Sequence, residues 1–153
     1  MKRHDSFVAF SREHHFGLLF CWKIRQGVKM HIPTERIQPY IKYFWENHLQ
    51  QHFKEEETLL FAVWQGSLIN QAQSEHQHIR QLVEDTTLKG SLRAEMFTVL
   101  ADAVDAHIRF EERTLFPHLE QNLPADKLNF IGNQLHILHQ TREKDEYPDE
   151  FWI

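Results

Sequence analysis

Cysteine is almost absent from this sequence, and its absence narrows the chemistry that the chain can perform. Cys21 is the single cysteine among 153 residues, so no internal disulfide can form and we expect a reducing, cytoplasmic setting. Zinc ribbons and iron–sulfur ferredoxins require several cysteine ligands, and both classes are therefore excluded. Any metal site in this chain must use donor atoms other than thiolates.

The sequence also contains few glycines and prolines, and it has neither a long apolar run nor an excess of positive charge. The five glycines and five prolines fall mostly between long segments, which is typical of helices joined by short loops. No apolar run reaches the roughly 18 residues of a membrane span, and the N-terminus lacks the apolar stretch of a secretory signal. The formal net charge is −5, which argues against a nucleic-acid-binding surface. We therefore expect neither a membrane nor a nucleic acid as partner.

Apolar residues recur at helical spacing along most of the chain. Four long helices are predicted, over about 12–30, 34–65, 69–88 and 91–122, with Ser11 and Ser91 as N-caps of the first and the fourth. A shorter helix over about 125–141 and a tail over 142–153 follow. No segment alternates apolar and polar residues as strands do. We predict one all-α domain over 1–153, with an up-down antiparallel four-helix bundle over about 11–121.

Histidine is the residue in excess, with 12 in the chain. His52 and Glu56 lie one turn apart on the core face of the second predicted helix, and His107 and Glu111 do the same on the fourth. The segment HFKEEETLLF, which begins at His52, aligns with HIRFEERTLF, which begins at His107. A buried carboxylate is costly unless it is compensated. A metal held by imidazole and carboxylate groups is the simplest shared compensation.

The core faces predicted for these two helices continue beyond the histidine–glutamate pairs. Residues at helical spacing define each face. The predicted faces are Ile41, Trp45, His48, His52, Glu56, Leu59 and Val63 on the second helix, and Met96, Leu100, Ala103, His107, Glu111, Thr114 and His118 on the fourth.

Each remaining helix offers one further inward histidine. On the third helix His76 lies on the apolar face, whereas His78 lies on the opposite, polar face. On the first helix His14 follows the apolar face better than His15, which remains the alternative. The sequence thus predicts a dimetal site formed by His14, His52, Glu56, His76, His107 and Glu111.

The order H…HxxxE…H…HxxxE across four helices resembles the hemerythrin-like (HHE cation-binding) domain family. The segments SREHH, HFKEEETLLF, SEHQHIRQL and HIRFEERTLFPHL are similar to that family's local sequences. The resemblance implies a bundle around two non-haem iron ions, with an oxo or hydroxo bridge as an option and manganese or zinc left open. It implies a protein that binds or senses O₂, peroxide or NO. The alternative is a di-iron enzyme acting on these molecules, or an iron-homeostasis or iron-donor protein.

Two positions depart from the oxygen-carrying members of that family. Arg80 stands where they have a second histidine on the third helix, and the fourth helix carries HxxxE instead of HxxxxD. Reversible oxygen carriage is therefore not expected. At the other end of the chain, Phe151, Trp152 and Ile153 follow an acidic run. This apolar end predicts docking either on the chain's own bundle or on a second subunit, which leaves a homodimer open.

Overall fold

The structure is a computed structural model that describes residues 2–88, 92–139 and 146–153. A 3₁₀ turn, Asp5–Phe7, precedes helices α1 Val8–Lys29, α2 Thr34–Phe44, α3 Gln50–Leu59, α4 Ser67–Leu88, α5 Ala94–Phe110, α6 Phe116–Asn122 and α7 Ala125–Leu138. Single π-helical turns, Trp45–Leu49 and Glu111–Leu115, join α2 to α3 and α5 to α6 as continuous rods. These ranges contain no strand, which confirms the predicted all-α class. None of their helices is long and apolar enough to cross a membrane.

The four long rods pack as an antiparallel bundle. Arg25, late in α1, donates to Asp105 of α5 at 2.8 Å, whereas His14, early in α1, contacts Glu112 beyond the end of α5 at 2.9 Å. Because the contacts run in opposite order along the two helices, α1 and α5 are antiparallel. The same opposed order relates the α2–α3 rod to α4. The up-down arrangement predicted from the short connections is therefore present.

The first helix begins earlier than predicted. It starts at Val8, and Ser11 is not its N-cap but lies within its second turn. The Ser11 hydroxyl donates instead to a Glu112 carboxylate oxygen at 2.8 Å. The early start has a packing cause, since Phe7 and Phe10 are fully buried and the helical backbone directs both rings into the bundle.

The second rod ends at Leu59, six residues before the predicted end at 65. Leu60 and Phe61 leave the helical path and turn into the bundle interior, where both are buried. Gly66 then adopts a φ of 151°, a backbone conformation that favours glycine because it has no Cβ. The predicted cap at Ser91 and the predicted helix end near 141 lie outside the described residues.

The π-helical turns change which residues of each rod face the core. A π turn holds more residues than an α turn, so the inward face moves along by one position. Beyond Glu111 the buried residues of this rod are Leu115, Phe116 and Leu119, whereas Thr114, predicted to face the core, is exposed and His118 is half-buried.

The first π turn has the same effect on the second rod, whereas the misses on α5 precede its π turn and have another cause. Around the first π turn the buried residues are Phe44 and Leu49, while Trp45 and His48 are only half-buried. Leu59 and Val63 are also half-buried. On α5 the predicted residues follow one edge of the buried face, so Met96 and Ala103 are half-buried while Phe97 and Val104 are among the buried residues. The predicted faces were correct for Ile41, Leu100 and the two histidine–glutamate pairs.

Two apolar clusters fill the bundle interior. One includes Phe20, Ile24, Tyr40, Phe44, Phe53, Phe97 and Val104. The other includes Phe7, Phe10, Leu60, Leu115, Phe116, Leu119 and Ile131. Phe53 of the first cluster stacks on His76 with ring centroids 3.8 Å apart, and Phe116 of the second stacks on His14 at 5.4 Å. The layer of buried histidines therefore lies between the two clusters.

The C-terminal segment docks on the chain's own bundle. The Phe151 ring is 1% exposed and meets the Tyr40 ring edge-on with centroids 5.5 Å apart. Gly27 permits this approach, because a Cβ at that position would lie 2.7 Å from Phe151 Cε1. The Lys23 ammonium lies 4.1 Å from the centre of the Trp152 ring, a cation–π distance. Of the two predicted docking alternatives, the structure places the segment on its own helices.

This docking predicts that Phe151→Ala lowers the free energy of unfolding by about 3–5 kcal/mol, the range for removing a buried phenylalanine ring. Urea denaturation of the two proteins measures the difference. Ile153→Ala is the matched control because Ile153 is 79% exposed, and we expect a change within about 0.5 kcal/mol. Equal losses in both variants would contradict the docking.

Candidate metal centre

The six residues predicted to bind metal converge in the middle of the bundle. His14 comes from α1, His52 and Glu56 come from α3, His76 from α4, and His107 and Glu111 from the end of α5 and its π turn. Every one of these side chains is at most 4% exposed. The two sequence neighbours that served as alternatives, His15 and His78, are both exposed. The structure thus brings His14, not His15, into the cluster.

Glu56 anchors one half of the cluster. Its Oε1 lies 3.1 Å from His76 Nε2 and 3.3 Å from His52 Nε2. The first histidine belongs to α4, and the second lies one turn before Glu56 on α3. A single carboxylate therefore contacts imidazoles from two helices.

Glu111 repeats this arrangement in the other half. Its Oε1 lies 2.9 Å from His14 Nε2, and its Oε2 lies 3.4 Å from His107 Nε2. His107 precedes Glu111 by one turn, as His52 precedes Glu56. The two halves are therefore related in structure as they are in the internal sequence repeat.

Each of the four imidazoles also contacts a second, outer carboxylate through its Nδ1 atom. These outer glutamates were not predicted, although each is adjacent in sequence to a residue of the cluster. This adjacency in sequence could have indicated the outer glutamates, but it does not reveal which histidine each of them contacts. The contacts are His14–Glu112 at 2.9 Å, His52–Glu13 at 2.9 Å, His76–Glu57 at 2.7 Å and His107–Glu75 at 2.7 Å.

The donor set fits a pair of metal ions. Nε2 of His52 and His107 and Oε2 of Glu56 and Glu111 are buried, and none forms a hydrogen bond with any part of the chain that the structure describes. Such orphaned groups cost about 1–3 kcal/mol each when nothing compensates them. Two groups of potential ligand atoms lie within 4.8 Å of one another: His14, His52, Glu56, Glu111 and Glu56, His76, His107, Glu111. Both groups share the same two carboxylates, as a dimetal site requires.

Protons stabilise the buried carboxylates when no metal is bound. Burial opposes protonation of His107, but the Glu111 and Glu75 carboxylates outweigh it and raise the His107 pKa to about 10. Burial likewise opposes ionisation of Glu111, and His107 and His14 outweigh it, so the Glu111 pKa lies well below its usual value. The His52 pKa is raised well above its usual value because Glu56 and Glu13 overcome the effect of burial. Without a metal, His52 and His107 therefore favour the imidazolium form and pair with the carboxylates beside them.

Three of the outer glutamates, Glu57, Glu75 and Glu112, remain ionised at neutral pH. Burial opposes ionisation of Glu57, but His76 and Arg80 overcome it and lower the Glu57 pKa to about 2. The pKa values of Glu75 and Glu112 are lowered by contacts with His107 and His14 respectively, again against burial. These carboxylates can therefore accept a hydrogen bond from each Nδ1–H.

A small cavity of about 30 Å³ adjoins the cluster, next to His14, His52 and His107. Its walls include the apolar side chains of Phe44, Leu49, Val104 and Ile108. Gly17 lies at the same wall, where a Cβ would be 2.7 Å from Ile108 Cδ1. This volume accepts one water-sized or diatomic molecule. The cluster thus has a confined, mainly apolar approach for a small ligand.

Residues 13–119 match a family model described as the hemerythrin HHE cation binding domain. The chain belongs to this family. The match spans all six residues of the buried cluster and the four outer glutamates. Comparisons with curated proteins and with solved structures find no significant match. The hemerythrin-like family binds metal cations, and the buried histidine and glutamate groups of this chain have the donor chemistry to hold them.

The raised histidine pKa values predict how the stability of this hemerythrin-like protein depends on pH when it is free of metal. The His107 pKa rises from 6.5 to about 10 on folding. Its protonation therefore stabilises the fold fully below pH 6.5, and this contribution is lost as the pH rises through 10. Urea denaturation across that interval should show a falling free energy of unfolding.

The His78→Ala variant serves as a control for this pH dependence, because His78 is exposed and its loss should leave the decline unchanged. A divalent metal that binds neutral imidazole should reduce the fall in the free energy of unfolding between pH 6.5 and 10. A free energy of unfolding that increases between pH 6.5 and 10 would contradict the assigned protonation of His107.

Proposed function

We propose that this protein holds two non-haem iron ions in the buried cluster and uses them to bind or sense O₂ or a related small ligand such as peroxide or NO. The observation that supports this proposal best is that two overlapping groups of potential metal ligands lie next to a small cavity. The proposed metal ligands are His14, His52, Glu56, His76, His107 and Glu111.

The composition of the donor set suits iron. Four imidazoles and two carboxylates suit iron, manganese or zinc, and the absence of thiolates disfavours a purely structural zinc site. If both carboxylates bridge, each ion receives two nitrogens and two oxygens from the protein. Iron commonly takes about six donors. Each ion would thus retain positions for a ligand from solution, which a sensor or binding protein needs.

Iron at this site would supply Lewis-acid and one-electron redox chemistry to a bound ligand. The protein's own side chains determine what reaches it. Phe53 covers His76 by direct stacking, and the cavity beside His14 and His52 has room for only a few atoms. Val104 and Ile108 make that approach apolar, which favours small, weakly hydrated ligands over strongly hydrated ions.

An enzyme acting on peroxide is the second candidate function, and His48 favours it. This half-buried histidine lines the cavity without belonging to either donor group. Imidazole exchanges protons near neutral pH, so His48 is positioned to deliver a proton to a ligand held in the cavity. Turnover of peroxide by the iron-loaded protein, and its loss in His48→Ala with iron content unchanged, would favour this candidate over a sensor.

The metal content of anaerobically reconstituted protein tests the proposed ligands. We expect about two irons per chain in the wild type. His107→Ala should lose most of this iron because it removes a buried donor, whereas His78→Ala should retain it because His78 is exposed. Absence of iron in the wild type, or equal losses in the two variants, would contradict the proposal.

Azide binding to the oxidised, iron-loaded protein tests the cavity as the ligand approach. Val104→Leu adds one methylene to the wall of a space of about 30 Å³. We therefore expect slower and weaker azide binding, measured by its charge-transfer absorption, with the iron content unchanged. Val99→Leu makes the same change on the same helix at a position that is 50% exposed. If the two variants bind azide equally well, the ligand does not use this cavity.

A further inference from the structure

We infer that Glu13, Glu57, Glu75 and Glu112 form a closed ring of positioning residues around the centre. Each holds one imidazole by its Nδ1 atom and so sets the affinity of the centre for metal. This inference rests on the proposed function, because it concerns the same four histidines. It assigns a role to residues that do not themselves contact the ions.

The four outer contacts form a cycle that passes once through every rod of the bundle. No outer glutamate serves a histidine of its own helix. Glu13 of α1 contacts His52 of α3, Glu57 of α3 contacts His76 of α4, Glu75 of α4 contacts His107 of α5, and Glu112 of the π turn after α5 contacts His14 of α1. The last contact returns to the first helix and closes the ring.

Helix geometry explains why each glutamate reaches a neighbouring helix. Adjacent residues on a helix point about 100° apart. Glu13 and Glu75 each precede an inward histidine, and Glu57 and Glu112 each follow an inward glutamate. A side chain in such a position lies at the edge of the inward face, beside the groove shared with the next helix. It can therefore contact only an imidazole that comes from across that groove.

The ring fixes both the orientation and the tautomer of each imidazole. A carboxylate that accepts a hydrogen bond from Nδ1–H leaves the Nε2 lone pair as the only donor for a metal. In all four histidines Nε2 is the nitrogen directed toward Glu56 and Glu111. The same contact increases the basicity of Nε2 and strengthens its bond to a metal ion.

Further contacts hold the ring residues themselves in place. Arg80 donates to Glu57 at 2.9 Å, Gln71 donates to Glu75 at 2.9 Å, and the Ser11 hydroxyl donates to Glu112 at 2.8 Å. These contacts are made by side chains of the protein itself, so the ring can orient the imidazoles without the help of a metal ion. The ring thereby lowers the cost of ordering the donors when the metal binds.

Cobalt(II) binding to Glu75→Gln tests the ring without relying on any activity. Glutamine preserves the shape of the side chain and still accepts a hydrogen bond, but it removes the charge that supports His107. Competition with a chelator should show an affinity about 10–100-fold below that of the wild type. Glu84→Gln is the matched control, since Glu84 lies on the same helix and is exposed. Its affinity should equal that of the wild type.

Proton NMR of the cobalt-loaded protein separates positioning from a general loss of negative charge. The exchangeable Nδ1 protons of coordinated imidazoles should appear as separate, strongly shifted signals. Glu75→Gln should alter one of them and Glu13→Gln a different one, because the two glutamates contact different histidines. Uniform change in all these signals, or wild-type affinity in both variants, would overturn the ring.

The same measurements distinguish this inference from the proposed function. A wild-type protein that binds neither cobalt nor iron would overturn both of them. A wild-type protein that binds metal, with Glu75→Gln and Glu84→Gln indistinguishable from it, would overturn the ring alone. Circular dichroism of each variant establishes that it is folded. Glu13→Gln, acting through His52, provides the test if Glu75→Gln does not fold.

Discussion

Two carboxylates with no solvent exposure, Glu56 and Glu111, impose the constraint on which the rest of this structure depends. An isolated negative charge in an apolar interior would cost more free energy than most single interactions supply. Positive partners must therefore surround them, and the inward imidazoles of His14, His52 and His107, whose pKa values are raised, provide these partners as imidazolium ions. A cation bound between the carboxylates would take over the same task and release the protons. The bundle consequently has two compensated states, one with protons and one with metal.

The polar layer also determines how the apolar interior is organised. It separates two hydrophobic clusters, so neither cluster extends along the whole bundle. Aromatic rings form the boundary on each side, with Phe53 against His76 and Phe116 against His14. These rings exclude water from the carboxylates and restrict the rotation of the imidazoles. The two clusters bury the apolar surface that stabilises the fold, while the layer between them contains the potential metal ligands.

Much of this arrangement could be predicted from local spacing. The repeated histidine–glutamate pairs share a face because both residues lie within one helical turn, and the apolar neighbours of His76 distinguish it from His78. The core faces beyond the pairs were partly wrong, because the π turns shift the register without a compositional signature and because the residues predicted on α5 follow one edge of its buried face. The outer glutamates were visible in the sequence, but their partners were not. Glu75, for example, contacts His107 across a groove, and only the packing of the helices determines that pairing.

The π turn at Trp45–Leu49 allows two halves of one rod to keep different phases. In an uninterrupted α-helix the angle between any two side chains is fixed by their separation in sequence. The inward face at one end therefore determines which residues point inward at the other end. The additional residue in the turn removes this dependence. Phe44 and Phe53 would point in opposite directions on an uninterrupted α-helix, yet with the π turn between them both are buried in the same apolar cluster. The rod is thus continuous in its backbone, but its two halves direct their buried side chains along different faces.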